Sequence, residues 1–130
     1  MVRDYDDAEI PAVYNMLEVP PAREATGFTQ RLFRGLDLMV GCNVVEPDKE
    51  PAEPHSHPWE QINMVVDGEI DFLVGDDRIS LGPFDIVEIP PGVEHTSRVS
   101  SDEPAYLLAF WPMREDRVEA TDYQSEFPSE

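Results

Sequence analysis

The sequence predicts an all-β fold of one domain, and three observations carry that prediction. Short runs rich in Val, Ile, Phe, Tyr and Thr recur along the chain. Turn residues separate them, among them Asp67-Gly68, Gly75-Asp76-Asp77 and Gly82-Pro83. Thirteen prolines leave little room for a long helix. Strands at this spacing, with no helical pattern between them, form an antiparallel sandwich or barrel. The 130 residues suffice for one domain with a core and are too few for two ordinary ones.

In chain order, residues 1–26 are acidic and proline-punctuated and read as an N-terminal arm. Residues 27–112 hold the strand-like runs and read as the barrel: FTQRLFRG, LDLMVGCNVVE, QINMVVDG, EIDFLVG, DRISLG, FDIVEIP, HTSRVSS and AYLLAFWP. In the third run Ile62, Met64 and Val66 alternate with Asn63 and Val65, the pattern of a strand with one apolar and one polar-lined face. Cys42 is the single cysteine, so no internal disulfide forms, and its apolar surroundings suit a small buried hydrophobe better than a nucleophile. Residues 113–130 lose the alternation and read as an acidic C-terminal tail, a short helical turn or an extended arm.

Charge excludes several partners. Twenty-eight acids stand against nine bases, for a formal net charge of −19. No basic patch exists to neutralise phosphates, which argues against nucleic acid and anionic membranes. No window approaches the roughly eighteen apolar residues of a membrane helix. The start MVRDYDDAEI lacks the basic-then-apolar order of a secretion signal, so a cytoplasmic location is expected. The acidity resembles that of proteins from salt-loving organisms, in which concentrated salt screens self-repulsion. A disordered acidic chain is the rival reading, and a 41% hydrophobic content counts against it.

Chemistry concentrates in HSHPWEQ, residues 55–61, and IPPGVEH, residues 89–95. In an extended strand His55 and His57 share a face, and Gln61 shares their parity while Glu60 does not. A break at Pro58 would exchange Gln61 and Glu60. Imidazoles suit Zn, Fe, Ni and Cu, and to a lesser degree Mn, and three of them with one oxygen donor leave coordination positions open. The alternative is three surface or capping histidines without a metal.

His55-Ser56-His57 with Glu60-Gln61 and Gly68 resembles the first motif of the cupins, and Pro90-Pro91-Gly92-Val93-Glu94-His95 resembles the second, PxGxxH. The resemblance implies an antiparallel jelly-roll (cupin) barrel. It also implies one divalent transition metal, Zn, Fe, Mn, Ni or Cu, held by His55, His57, Gln61 and His95. Gln61 stands where most members carry glutamate, and Phe84-Asp85 replaces Gly-Asp. FWPMRED, residues 110–116, is similar to a segment of cupins that open the ring of unsaturated uronates. Phe110 and Arg114 match that segment, whereas Leu108 replaces its catalytic aspartate, which implies a relative of that group more than the same activity.

Other residues join a candidate substrate pocket: Arg31, Arg34 and Arg98, whose planar forks suit a carboxylate, with Trp59, Phe110 and Arg114. Surface ion pairing and core packing explain the same residues. Three functions follow. The first is a Lewis-acid isomerase, lyase or hydrolase acting on a small carboxylated metabolite such as a sugar acid. The others are a metal-dependent dioxygenase and a non-catalytic small-molecule binder. The ligand expected is a small anion, and the protein partner a second copy, with the arm pairing across a two-fold homodimer.

Overall fold

The computed structural model describes residues 14–35 and 37–112. Residues 1–13 and the whole tail, Arg114 with it, lie outside the described residues. Among those described there are nine strands and no helix, and hence no helix long and apolar enough to cross a membrane. One sheet runs in the order β1 (Arg23–Ala25), β2 (Phe28–Arg34), β3 (Leu38–Val45), β9 (Ala105–Pro112), β4 (Gln61–Asp67), β7 (Ile86–Ile89). The second runs β6 (Asp77–Leu81), β5 (Ile70–Val74), β8 (His95–Val99). Every neighbouring pair is antiparallel, and the two sheets form an all-β jelly roll.

Alternation in the sequence becomes burial in the fold. On β9, Ala105, Leu107, Ala109 and Trp111 are buried, while Tyr106, Leu108 and Phe110 between them are only partly so. On β4 the buried pair is Asn63 and Val65. Val65, Ala105 and Leu107 meet Ile70, Phe72, Leu81 and Val99 of the second sheet in the main core. A smaller cluster of Leu32, Met39, Ala109 and Trp111 packs with Trp59. Burying such side chains contributes roughly 1.5–3 kcal/mol each.

Three features differ from the linear reading. The sheet begins at Arg23, before residue 27, because Arg23–Ala25 hydrogen-bonds to β2 of its own chain. Phe84 sits in a turn at a φ of 70° with three-quarters of its surface exposed, so β7 starts only at Ile86. Between Val65 and Asp67 the pairing of β4 with β9 shifts register, a bulge that leaves Val66 exposed.

Candidate metal centre

Proline and glycine place the histidines. Pro54 and Pro58 cannot donate to a ladder, and residues 56–60 carry no strand. His55 keeps one sheet contact: its N–H donates to the His95 carbonyl at 3.2 Å, and its carbonyl accepts the His95 N–H at 2.9 Å. Before His95, Pro90-Pro91-Gly92-Val93 form a tight turn. Gly92 has a φ of 81°, the conformation required at the third position of a turn with proline at the second. Its N–H donates to the His57 carbonyl at 2.8 Å, tying the turn to the His55–His57 segment.

The three rings converge. His95 lies 4.4 Å from His55 and 5.1 Å from His57 between ring centroids. One ring nitrogen from each of the three falls within 4.8 Å of the others. The second nitrogens are tethered to the backbone: Nδ1 of His57 lies 2.9 Å from the Trp59 carbonyl and Nδ1 of His95 3.0 Å from that of Val93. At His55 the Glu53 backbone acts in the same sense, raising the proton affinity of the ring against the effect of burial. A nitrogen facing a carbonyl oxygen carries the proton, which leaves the lone pair of a neutral imidazole on the other.

The remaining atoms fit a cation. Nε2 of His95 is buried without a hydrogen-bond partner among the described residues. Nε2 of His57 faces Oε1 of Gln61 at 2.9 Å. That oxygen is oriented by its neighbours, because Gln61 Nε2 donates to Asn63 Oδ1 at 2.7 Å and Trp111 Nε1 donates to Gln61 Oε1 at 3.1 Å. With Nδ1–H given to the Trp59 carbonyl, the Nε2 lone pair faces the Gln61 oxygen, and a cation between the two atoms would satisfy both. Three imidazoles and a carboxamide oxygen suit a divalent transition metal.

Glu60 stands apart from this group. It is fully exposed, and its carboxyl is held above the usual range by a hydrogen bond with Glu88, with some desolvation and the repulsion of the second carboxylate adding. The strand alternation starts afresh at Gln61, which shares the inward face of Asn63 and Val65 despite the bend at Pro58. The imidazoles of His55 and His95 sit below their ordinary range. Burial is the main cause in both. Nearby His95, His57 and Arg23 add to it at His55, and His57 at His95, against the Val93 hydrogen bond.

Of the proposed pocket residues, Trp59 is at the site, stacked on His57 with centroids 4.5 Å apart and planes 5° from parallel. Three others lie off the inward face that carries the histidines. Arg31 lies between inward Gln30 and Leu32, and its Nε donates to the Val19 carbonyl at 2.8 Å on the opposite side of the sheet. Arg98 is exposed and has the opposite parity to His95 and Val99, while Phe110 lies between inward Ala109 and Trp111. Arg34 pairs with Met39 in the register of β2 and β3.

A cavity of about 320 Å³ opens beside His55, Gln61 and His95. Its walls include Arg23, Gln30, Asn43 and Lys49, none of which the linear reading selects. The missed signal at Gln30 and Asn43 is a polar residue at an inward position of an otherwise apolar strand.

The family model described as "Cupin domain" matches residues 43–111. No curated protein matches the sequence. Among solved structures, KdgF from Halomonas sp. superposes with a TM-score of 0.71 at 21% identity, over 83% of this chain and 99% of that one. An RmlC-like cupin from Shewanella frigidimarina gives 0.69 at 20%, over 83% and 96%. A mutant of Bacillus subtilis oxalate decarboxylase OxdC gives 0.70 at 20%, over 81% of this chain and 30% of that one. The jelly roll and the matched family model agree: this chain belongs to the cupin family.

Proposed function

We propose that this cupin holds one divalent transition metal through His55, His57, His95 and Gln61. With it the protein acts as an isomerase, lyase or hydrolase on a small carboxylated metabolite such as a sugar acid. One observation carries the reading. All four donors are neutral, and the described residues lining the cavity include Arg23 and Lys49 but no carboxylate. In a chain of net charge −19, a wall with two bases and no carboxylate is the part suited to an anion. Its volume lies at the lower end of the roughly 300–1,000 Å³ of small-molecule pockets.

A bound divalent ion supplies Lewis acidity at its open positions. The chain supplies orientation. Backbone carbonyls fix the ligating tautomers of His57 and His95, and the Trp59 ring braces His57. Asn63 and Trp111 aim the Gln61 oxygen at the histidines.

Metal analysis of the purified protein, then an anaerobic turnover screen of carboxylated sugars, tests this reading. About one equivalent of metal and oxygen-independent turnover are expected. Turnover that requires oxygen would establish the dioxygenase instead, and binding without turnover would establish a ligand-binding protein. The proposed unit is a homodimer, since β1 is a short, exposed edge strand open to pairing. A single monomeric species in sedimentation at high salt would remove that part.

A further inference from the structure

We propose that the cavity reads two chemical features of one ligand. Arg23 grips a carboxylate at the rim, and the carboxamides of Gln30 and Asn43 hydrogen-bond hydroxyl groups deeper in the barrel. The ligand class is therefore a small polyhydroxylated monocarboxylate. The inference deepens the function proposed above and rests on it for placing the ligand beside the histidines.

The strand register carries the assignment. Arg23 on β1 is the pairing partner of Gln30 on β2, which is in turn the partner of Asn43 on β3. The three form one row across three strands, and all three line the cavity. Strands lie about 4.8 Å apart, so the row spans roughly 10 Å, the reach of a six-carbon chain with its terminal groups. Beyond Asn43 the row continues to Leu107, which is apolar. Within this row the polar groups end at Asn43.

Packing alone does not explain these residues. Leu32 is two positions along β2 from Gln30, and Val45 two along β3 from Asn43; both are buried and apolar. Gln30 is 8% exposed. Oδ1 of Asn43 is buried with no hydrogen-bond partner among the described residues, which leave its desolvation uncompensated. A carboxamide both donates and accepts, as a hydroxyl does, which makes the two complementary. Arg23 presents a planar fork that matches a carboxylate. Lys49 is the other base of the wall, and its ammonium is a point charge that adds attraction rather than a second fork.

Three probes of equal carbon number separate the two walls: D-gluconate, D-sorbitol and hexanoate. Calorimetric titration of zinc-treated and of EDTA-treated protein should show gluconate binding at least about tenfold more tightly than either partial analogue. Arg23→Gln should lower affinity for gluconate and hexanoate by about ten- to a hundredfold and leave sorbitol unchanged, with partial recovery in Arg23→Lys. Asn43→Leu should weaken gluconate and sorbitol while sparing hexanoate. Gln30→Met should do the same and serves if Asn43→Leu fails to fold. Gluconate binding no better than both analogues, or unaffected by Arg23→Gln, overturns the proposal. Zinc content is measured on the same samples. Absence of zinc with this pattern intact defeats the metal reading alone, whereas full zinc with the pattern lost defeats this one alone.

Discussion

His57 and His95 each spend one ring nitrogen on a backbone oxygen and have a single lone pair left to offer, beside the ring of His55. The metal reading stands on that, and it ranks the residues by expected effect. His57→Ala removes a donor together with the partner of Gln61 Oε1, and should abolish stoichiometric metal. Glu60→Gln should leave metal content unchanged, because that side chain is fully exposed and meets Glu88 instead. Elemental analysis of the two purified variants distinguishes them, and metal lost with Glu60→Gln would move the fourth ligand to that residue. Acidity gives a second check. The folded imidazoles of His55 and His95 hold their protons less tightly than in the unfolded chain, mainly through burial. The unfolded state therefore binds more protons in the window just below about pH 6.5, and stability must fall as the pH drops through it. Denaturant titrations of metal-free protein at about pH 7.5 and 5.5 bracket that window and lie above most carboxylate titrations. Equal or greater stability at the lower value would contradict the weakened proton affinity of these rings.

At the scale of the strand, Gly41 of β3 shows how packing reaches the site. A Cβ at that position would stand 2.7 Å from Cη2 of Trp111 and 3.4 Å from Cδ2 of Leu32. The indole thus lies directly on the glycine, and that seat lets its Nε1 donate to Gln61. Gly41→Val should displace the ring, lower stability by about 1–3 kcal/mol and weaken metal binding without touching a ligand. A variant with reduced stability but unchanged metal affinity would show that Trp111 does not orient Gln61. The same scale explains what was legible in the sequence. The inward place of Gln61 follows from local alternation with Asn63 and Val65, which survives the bend at Pro58 because it restarts within β4. Counting from His95 by the same rule puts Arg98 on the outer face, so charge was a poorer guide than parity there. For Arg31 the deciding fact is nonlocal, since only the sheet reveals that Gln30 and Leu32 take the inward side. Arg23–Ala25 shows no apolar alternation and becomes a strand only through its bonds to β2. Arg23 therefore had no signature before the fold supplied one.

Across the whole molecule, charge and fold pull against each other. Twenty-eight acids face nine bases, and two of those bases, Arg23 and Lys49, line the cavity. The acids that remain on the outside repel one another with few cations to pair with, and compacting the chain raises that repulsion. Screening acts over about 8 Å at physiological ionic strength and about 3 Å at 1 M, so added salt should relieve the folded state more than the expanded one. The unfolding midpoint should therefore rise between low salt and about 1 M potassium chloride. Sodium chloride should act alike, because screening depends on ionic strength rather than on the cation. Stabilisation by sulfate alone would instead indicate exclusion of the salt from the protein surface. A midpoint that stays level or falls in both chlorides would mean that the net charge does not limit stability, and the salt-adapted reading of the composition would fall with it.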